Sequence, residues 1–216
     1  MEQLIKNKRI AFVAMGASIK GKGLGKEIDS FDTVYRTNFY PIPEHLHKDY
    51  GSRCDILSVL KGHYRQGTYA NTGLNTLIRF SRMNCPKDEG INYFLIGKKF
   101  RANSKRKIFE ATGKNPRNPT KGLLAYFLCQ KYGAKEIKFF GVTGYQNKDN
   151  KVCDYTDTFH YTEEYVKSLK TQKDLSVIDM ANYKPHNFAV QNEFIVQEIK
   201  AGRLSIDPFS KEYFKF

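Results

Sequence analysis

Residues 14 to 30 read AMGASIKGKGLGKEIDS. The piece GASIKGKG comes within one residue of a phosphate-cradling P-loop: Gly16, four residues, then Gly21-Lys22. That loop needs Ser or Thr after the lysine to hold magnesium, and a carboxylate at the end of another strand. Here the next residue is Gly23, and the strand KEIKFFGV runs on to Thr143 without an Asp. A dinucleotide loop fails as well, because Gly21, Gly23 and Gly25 spell GxGxG and not GxGxxG. A strand followed by a glycine loop survives both tests, and it brings backbone N–H groups close to an anion. Two histidines can move protons. His160 stands in FHYTEEY with Glu163 and Glu164 nearby, and His186 precedes Asn187 at a predicted helix start. The positive end of a helix disfavours imidazolium, so His186 is expected neutral and able to accept a hydroxyl proton. Taken alone, His186 reads first as a surface histidine beside a proline, and His160 as a loop histidine beside an acid.

Elements must place these groups. KRIAFVAMG, DTVYRTN, RCDILSV, INYFLIG, KEIKFFGV and LSVID are short apolar runs that read as strands. LGKEID reads as a short helix or turn, and RANSKRKIFEATGKNPRNP as a short helix and then a loop. PTKGLLAYFLCQKYG is a buried helix, opened by Pro119-Thr120 and closed by Gly133. NFAVQNEFIVQEIKAGRL is amphipathic, with Phe188, Gln191, Ile195 and Ile199 on one side and Gly202 at its end. Residues 61–90 and 144–176 match no clear pattern. Strands alternating with helices predict an α/β sandwich with a mainly parallel sheet. Ligands of such sheets bind beyond the carboxyl ends of the strands, where Gly16, Asn38 and Gly141 are expected.

Lys+Arg 36 against Asp+Glu 22 give a formal charge of +14, which suits a nucleic acid, a membrane surface or a phosphorylated substrate, and equally plain solubility. No run of about twenty apolar residues exists to span a membrane. Cys54, Cys85, Cys129 and Cys153 have no CxxC spacing, so free thiols are expected, with no zinc site.

Beyond Lys22 a third pattern emerges. IAFVAMGASIKGKGLGKEIDSFDTVYRTN followed by DYGSRCDIL resembles the large sialyl motif of glycosyltransferase family 29, the eukaryotic-type sialyltransferases. PTKGLLAYFLCQKYGAKEIKFFGV resembles the small motif, FHYTEEY the third motif, and HNFAVQNEF the very small motif. The four occur in the family's order. The resemblance implies a single catalytic domain over residues 1–216, with a Rossmann-like variant of the GT-A fold: a mainly parallel central sheet flanked by helices. It implies inverting, metal-independent transfer of a sialic acid from CMP-sialic acid to a glycan or glycolipid hydroxyl, with no cofactor. The sequence accordingly shows no DxD motif and no clustered His or Cys ligands.

The family pattern assigns roles by position. His186 matches the catalytic base, and His160 the histidine that donates to the phosphate as CMP leaves, with Tyr161 packing on the sugar. Donor contacts fall on Gly16, Ala17, Ser18 and Asn38, on Thr120, Lys121 and Gly122 at the helix start, and on Gly141, Val142 and Thr143. Arg36 and Glu193 are supporting candidates; Gln191 stands five residues after His186, and Glu193, seven after, is read as the motif's acid following a small insertion. Where the family often has Asn, this chain has Met15. The disulfide joining the large and small motifs is lost, since the aligned positions are Ile10 and approximately Gly133. A disulfide would not persist in a reducing cytoplasm, so a trimmed, cytoplasmic enzyme is expected, with peripheral membrane association left open. Three alternatives stand beside this reading. They are a transferase of CMP-Kdo or another CMP-ulosonic acid, a degenerate transferase that binds nucleotide without turnover, and a nucleic-acid-binding module built on GKKFRANSKRKIF.

Overall fold

A computed structural model describes residues 1–59, 69, 72–79, 90–146 and 186–216. The elements run α1 (Glu2–Ile5), β1 (Arg9–Val13), α2 (Gly25–Asp29), β2 (Thr33–Thr37), α3 (His47–Tyr50), β3 (Ile56–Val59), β4 (Thr76–Arg79), β5 (Asn92–Leu95), α4 (Lys98–Thr112), α5 (Lys121–Lys131), β6 (Glu136–Phe140), α6 (Phe188–Lys200), β7 (Ser205–Ile206) and α7 (Pro208–Lys211). The seven strands form one sheet in the order β5-β4-β3-β2-β1-β6-β7, and every pairing is parallel. The chain steps outward from β1 to β5, then returns to the other side of β1 with β6. Strand order therefore reverses between β1 and β6, and a crevice at the carboxyl ends of such a pair is where open α/β sheets bind ligands.

Strand periodicity divides the core into two layers. Ile10 and Phe12 of β1, with Tyr35, Ile56 and Phe139, pack against Leu123, Tyr126, Phe127 and Phe194 of α5 and α6. The alternate residues Ala11 and Val13, with Val34 and Phe140, pack against Ile28, Phe31, Leu46 and Tyr50 on the opposite face. A sheet covered on both faces needs apolar residues at nearly every position, which is why its strands read as continuous runs. Gly25 is required by a close approach: a Cβ there would lie 1.9 Å from the His47 carbonyl, so α2 rests directly on α3. Gly133 ends α5 at φ +71, with the Ala134 N–H donating to the Cys129 carbonyl.

The structure departs from the sequence expectations in several elements. The basic segment after β5 is a 15-residue helix, α4, and not a short one. Its polar sequence hides the length because it buries only Ser104 and Ile108. Strand β4 was not anticipated, nor were β7 and α7: four residues flanked by polar chain, or two, are too few for a periodicity to register. The expected strand LSVID lies outside the described residues. Cys54 and Cys129 are free and buried, and burial pushes both thiols up to about 12. No described helix is long and apolar enough to cross a membrane.

Candidate active site

The parallel sheet brings the ends of β1, β2 and β6 to one edge, together with the starts of α5 and α6. The turns after β1 and β6 are joined where strand order reverses: the Gly16 N–H donates to the Gly141 carbonyl at 3.0 Å. Gly141 has φ +66, and a Cβ there would meet the Ala14 carbonyl at 2.8 Å. Its N–H donates to Asp207 at 3.0 Å, and the other oxygen of that carboxylate caps α7 through the Phe209 and Ser210 N–H groups. Asp207 is fully buried, and desolvation raises its pKa above the ordinary carboxylate value. The opposite wall of the loop is braced through Arg36. Its Nε donates to the Arg53 carbonyl and its Nη2 to the Tyr50 carbonyl, while the Tyr50 hydroxyl donates to the Gly16 carbonyl at 2.9 Å. Arg36 thus supports the loop from inside the core and is 1% exposed.

The GKG segment holds an anion, but the anion is the chain's own. Gly21 and Gly23, both at positive φ, donate to the two Asp49 oxygens at 2.7 and 2.8 Å. Lys22 lies over the Phe209 ring, 4.9 Å from its centroid. The Gly21 and Gly23 N–H groups are therefore committed to the protein itself. The Ser18 hydroxyl is buried and shares a 2.9 Å hydrogen bond with Ser210, which ties it to α7. Met15 is buried in the layer under α2 and offers no polar group.

Asn38 follows β2 at φ +65, a conformation asparagine tolerates better than most residues. Its side-chain oxygen accepts from the Lys121 ammonium, joining the end of β2 to the start of α5. Gly122 sits where a Cβ would meet the Phe12 ring at 3.4 Å, so α5 lies close against β1. Thr120 occupies the N-cap position without a side-chain capping bond, so it is not an ordinary threonine cap. Its N–H instead donates to Gln191 Oε1 at 2.8 Å.

Gln191 also donates to the Pro116 and Asn118 carbonyls at 3.0 and 2.9 Å. It is 1% exposed and stitches the start of α6 to the loop entering α5. Asn187 caps α6 and donates to the Asn115 carbonyl at 3.1 Å. His186 pairs with Arg117 as an isolated antiparallel bridge, and its Nδ1 lies 2.6 Å from the Asn118 carbonyl. A carbonyl only accepts, so Nδ1 carries the proton and the neutral ring has its lone pair on Nε2. Its pKa is lowered first by desolvation and also by Arg101, against the opposing Asn118 hydrogen bond. A neutral His186 agrees with the sequence reading, though burial is the leading cause. Glu193, read from the sequence as the motif's acid, is ion-paired with Lys114 at 2.8 Å, while Gln191, five residues after His186, donates to the Asn118 carbonyl that also accepts from His186. Beside Thr143, Asn192 donates to the Gly144 carbonyl at 2.9 Å, and the Tyr145 ring lies 4.4 Å from that of Phe188, tilted by 37°. His160 and Tyr161 lie outside the described residues.

The structure thus gathers Gly16, Ala17, Asn38, Thr120, Lys121, Gly122, Gly141, Val142, Thr143 and His186 onto elements that meet at one sheet edge. Asp49, Asp207 and Gln191 were missed as supports. Asp207-Pro208 carries a cap signature, and Gln191 falls on the same side of its helix as Phe188 and Ile195, whereas nothing in the sequence ties Asp49 to a loop 28 residues away. Among the described residues no cluster of His, Cys, Asp and Glu is arranged to hold a metal.

Among solved structures, the chain is similar to a mammalian sialyltransferase at TM-score 0.55 and 15% identity, over 93% of this chain and 68% of that one. The likeness to a mammalian sialyltransferase in complex with Gal-beta-1-3GalNAc-ortho-nitrophenol has TM-score 0.57 and 15% identity, over 95% and 71%. The fold is the sialyltransferase fold. No protein-family model matches the sequence, and no curated protein does. In the sialyltransferase fold the motif-like segments gain a spatial sense: Ile10 to Asn38 forms β1 to β2, Thr120 to Gly141 forms α5 and β6, and His186 opens α6. Their ends are the segments that meet beside the reversal of strand order.

Proposed function

We propose that this chain is an inverting glycosyltransferase that moves a sialic acid from CMP-sialic acid to a glycan hydroxyl, without a metal or other cofactor. The observation that carries the reading is His186: a desolvated imidazole with its proton on Nδ1, locked by Gln191 and Asn118 beside the start of α5. Its Nε2 accepts the proton of the acceptor hydroxyl. The acceptor oxygen then bonds to the anomeric carbon from the face opposite the nucleotide, and the bond to the CMP phosphate breaks. The developing charge on CMP is met by donors at the start of α5 and by the turns after β1 and β6, an arrangement fixed before the reaction begins. Asn38 reads the nucleoside, and His160 assists the departing phosphate.

The test separates binding from turnover. CMP should stabilise the protein against heat, Asn38→Ala should weaken that effect, and His186→Ala should retain it while abolishing turnover. Stabilisation by polynucleotides with a steep salt dependence, and none by CMP, would replace this reading with the nucleic-acid one. That alternative drew on the basic stretch at residues 97–109, which α4 explains as a solvated helix face whose Lys107 lies 5.5 Å from the Phe127 ring centroid. CMP binding without release from CMP-sialic acid would favour another CMP-ulosonic acid or a transferase without turnover. Buried Met15 removes an amide from the donor loop and is the observation that keeps those two readings in the test.

A further inference from the structure

Helix α4 carries Lys98, Lys99, Arg101, Lys105, Arg106 and Lys107 against a single acid, Glu110. Five of the chain's 14 net positive charges therefore fall within 15 residues. The helix meets the protein along one narrow edge, packed against α5 and α6. Ser104 and Ile108 are buried there, with Phe100, Arg101 and Thr112 half-buried beside them. Two cations are engaged within the protein. Arg106 reaches Glu110 at 3.6 Å, and Lys107 lies over the Phe127 ring.

The face turned away from that edge has an order of its own. At about 100° per residue, Lys98, Lys99, Ala102, Lys105, Arg106 and Phe109 fall within about 120° of arc, and all six are exposed. Three large apolar side chains are exposed among the described residues, and two of them belong here. Phe109 ends the stripe at 51% exposure, and Leu95, just ahead of α4, is 57% exposed. Arg101 has like charges at Lys98 and Lys105, three residues before it and four after, which works against the helix. Neither the crowded charge nor the exposed Phe109 stabilises the fold. Together they suit a partner that is anionic and also accepts apolar groups. An anionic bilayer has that chemistry: its headgroups attract lysines whose alkyl stems lie along the interface, and Phe and Leu enter the acyl boundary beside them. A nucleic acid fits less well. Phosphate and base recognition favour the planar fork of arginine, and the arginine of this face is already on Glu110. An aliphatic Leu95 offers no stacking surface, and a single convex helix provides no groove for a strand.

We propose that this face of α4 docks the protein on an anionic lipid bilayer. The placement bears on the chemistry. Helix α4 packs against α6, which follows directly on His186, and Arg101 is close enough to act on the His186 ring. A docked α4 therefore holds the candidate base beside the headgroups. Only this last step rests on the transferase reading, and it makes the acceptor a glycan carried on lipid.

The experiment is co-flotation of the full chain with phosphatidylcholine vesicles, with and without phosphatidylserine. Wild type should float with the anionic vesicles alone, and less so as salt rises. Lys98→Gln/Lys99→Gln/Lys105→Gln should bind them roughly a hundredfold more weakly, about fivefold for each lysine. Phe109→Ser, which keeps every charge, should bind several-fold more weakly. Lys8→Gln/Lys48→Gln/Lys135→Gln removes the same charge from exposed positions outside α4 and should bind like wild type. Equal losses in the two triple variants, or unchanged binding by the α4 triple, would overturn the proposal. So would an absence of binding to anionic vesicles, and poly(U) binding that the α4 triple abolishes would then assign the face to nucleic acid. A second arm follows transfer from CMP-Neu5Ac. The α4 triple should lose transfer to lactosylceramide in anionic vesicles while using soluble lactose within a few-fold of wild type. Equal losses on both acceptors would place these lysines in the site and overturn their role in docking. If no acceptor supports CMP release, the transferase reading fails, while flotation alone still decides the docking face.

Discussion

Replacing Asp49 with alanine removes the acceptor that Gly21 and Gly23 share. The carboxylate is 8% exposed and takes two backbone N–H bonds of 2.7 and 2.8 Å. A hydrogen bond to a charged group contributes about 1.5–3 kcal/mol. Two such bonds sum to about 3–6 kcal/mol, and the lower end applies because the freed loop opens to water and recovers part of the loss. For a chain of this size 1 kcal/mol moves the melting temperature by about 2–4 °C, so Asp49→Ala should melt about 6–12 °C lower. Asp49→Asn keeps one good acceptor and should lose about half as much. Affinity for CMP, measured well below the melting temperature, should stay within a few-fold of wild type, because the glycine nest is closed by the protein itself. An Asp49→Ala protein that melts like wild type would refute the energetic argument. A folded Asp49→Ala protein with CMP affinity down more than tenfold would show that the nest belongs to the nucleotide after all.

Other perturbations read different parts of the structure. Gly25→Ala places a methyl 1.9 Å from the His47 carbonyl, so α2 must lift from α3; a loss of about 3 kcal/mol or more is expected in chemical denaturation. Gln191→Ala leaves the Thr120 N–H unmatched and removes one of the two hydrogen bonds accepted by each of the Pro116 and Asn118 carbonyls, whose other donors are the Asn187 N–H and His186 Nδ1. It should cost about 2–3 kcal/mol in stability and lower kcat more than it raises KM, since it frees the loop that orients His186. The pH profile of kcat/KM should show an acidic limb whose midpoint lies below 6.5, because desolvation and Arg101 hold His186 neutral and only the neutral ring accepts a proton. Lys121 has the opposite bearing on stability. Its folded pKa is depressed, so the cost of its charge is full below that pKa and falls as pH rises towards 10.5. The melting difference between Lys121→Met and wild type should therefore narrow with rising pH.

The sheet was legible where strands are buried on both faces. KRIAFVAMG, DTVYRTN, RCDILSV and KEIKFFGV became β1, β2, β3 and β6 because both layers of core demand apolar residues there. Helices α5 and α6 were legible from their end signals, with Gly133 and Gly202 both at positive φ. Short edge elements such as β7 carry too few residues to register, and α4 conceals its length under a charged surface. At the site, the positions that meet at the sheet edge could be read from ordered motifs, since His186, Asn38, Lys121, Gly16 and Gly141 each end or begin an element. The partners that hold them could not. Asp49 closes a loop through tertiary contact, Ser18 is drawn to Ser210 across 192 residues, and Gln191 ties α6 to the loop entering α5. Periodicity reports which face is buried, and it carries no information on which polar groups are paired across the fold.

CMP release from CMP-Neu5Ac by the purified protein, with lactose present and absent and His186→Ala as the comparison, tests the transferase reading most directly. Wild type should release CMP, faster with acceptor, while His186→Ala falls by at least about a hundredfold and still binds CMP. Equal release by both proteins would remove His186 from the chemistry. No release, together with no stabilisation by CMP, would contradict the transferase reading itself.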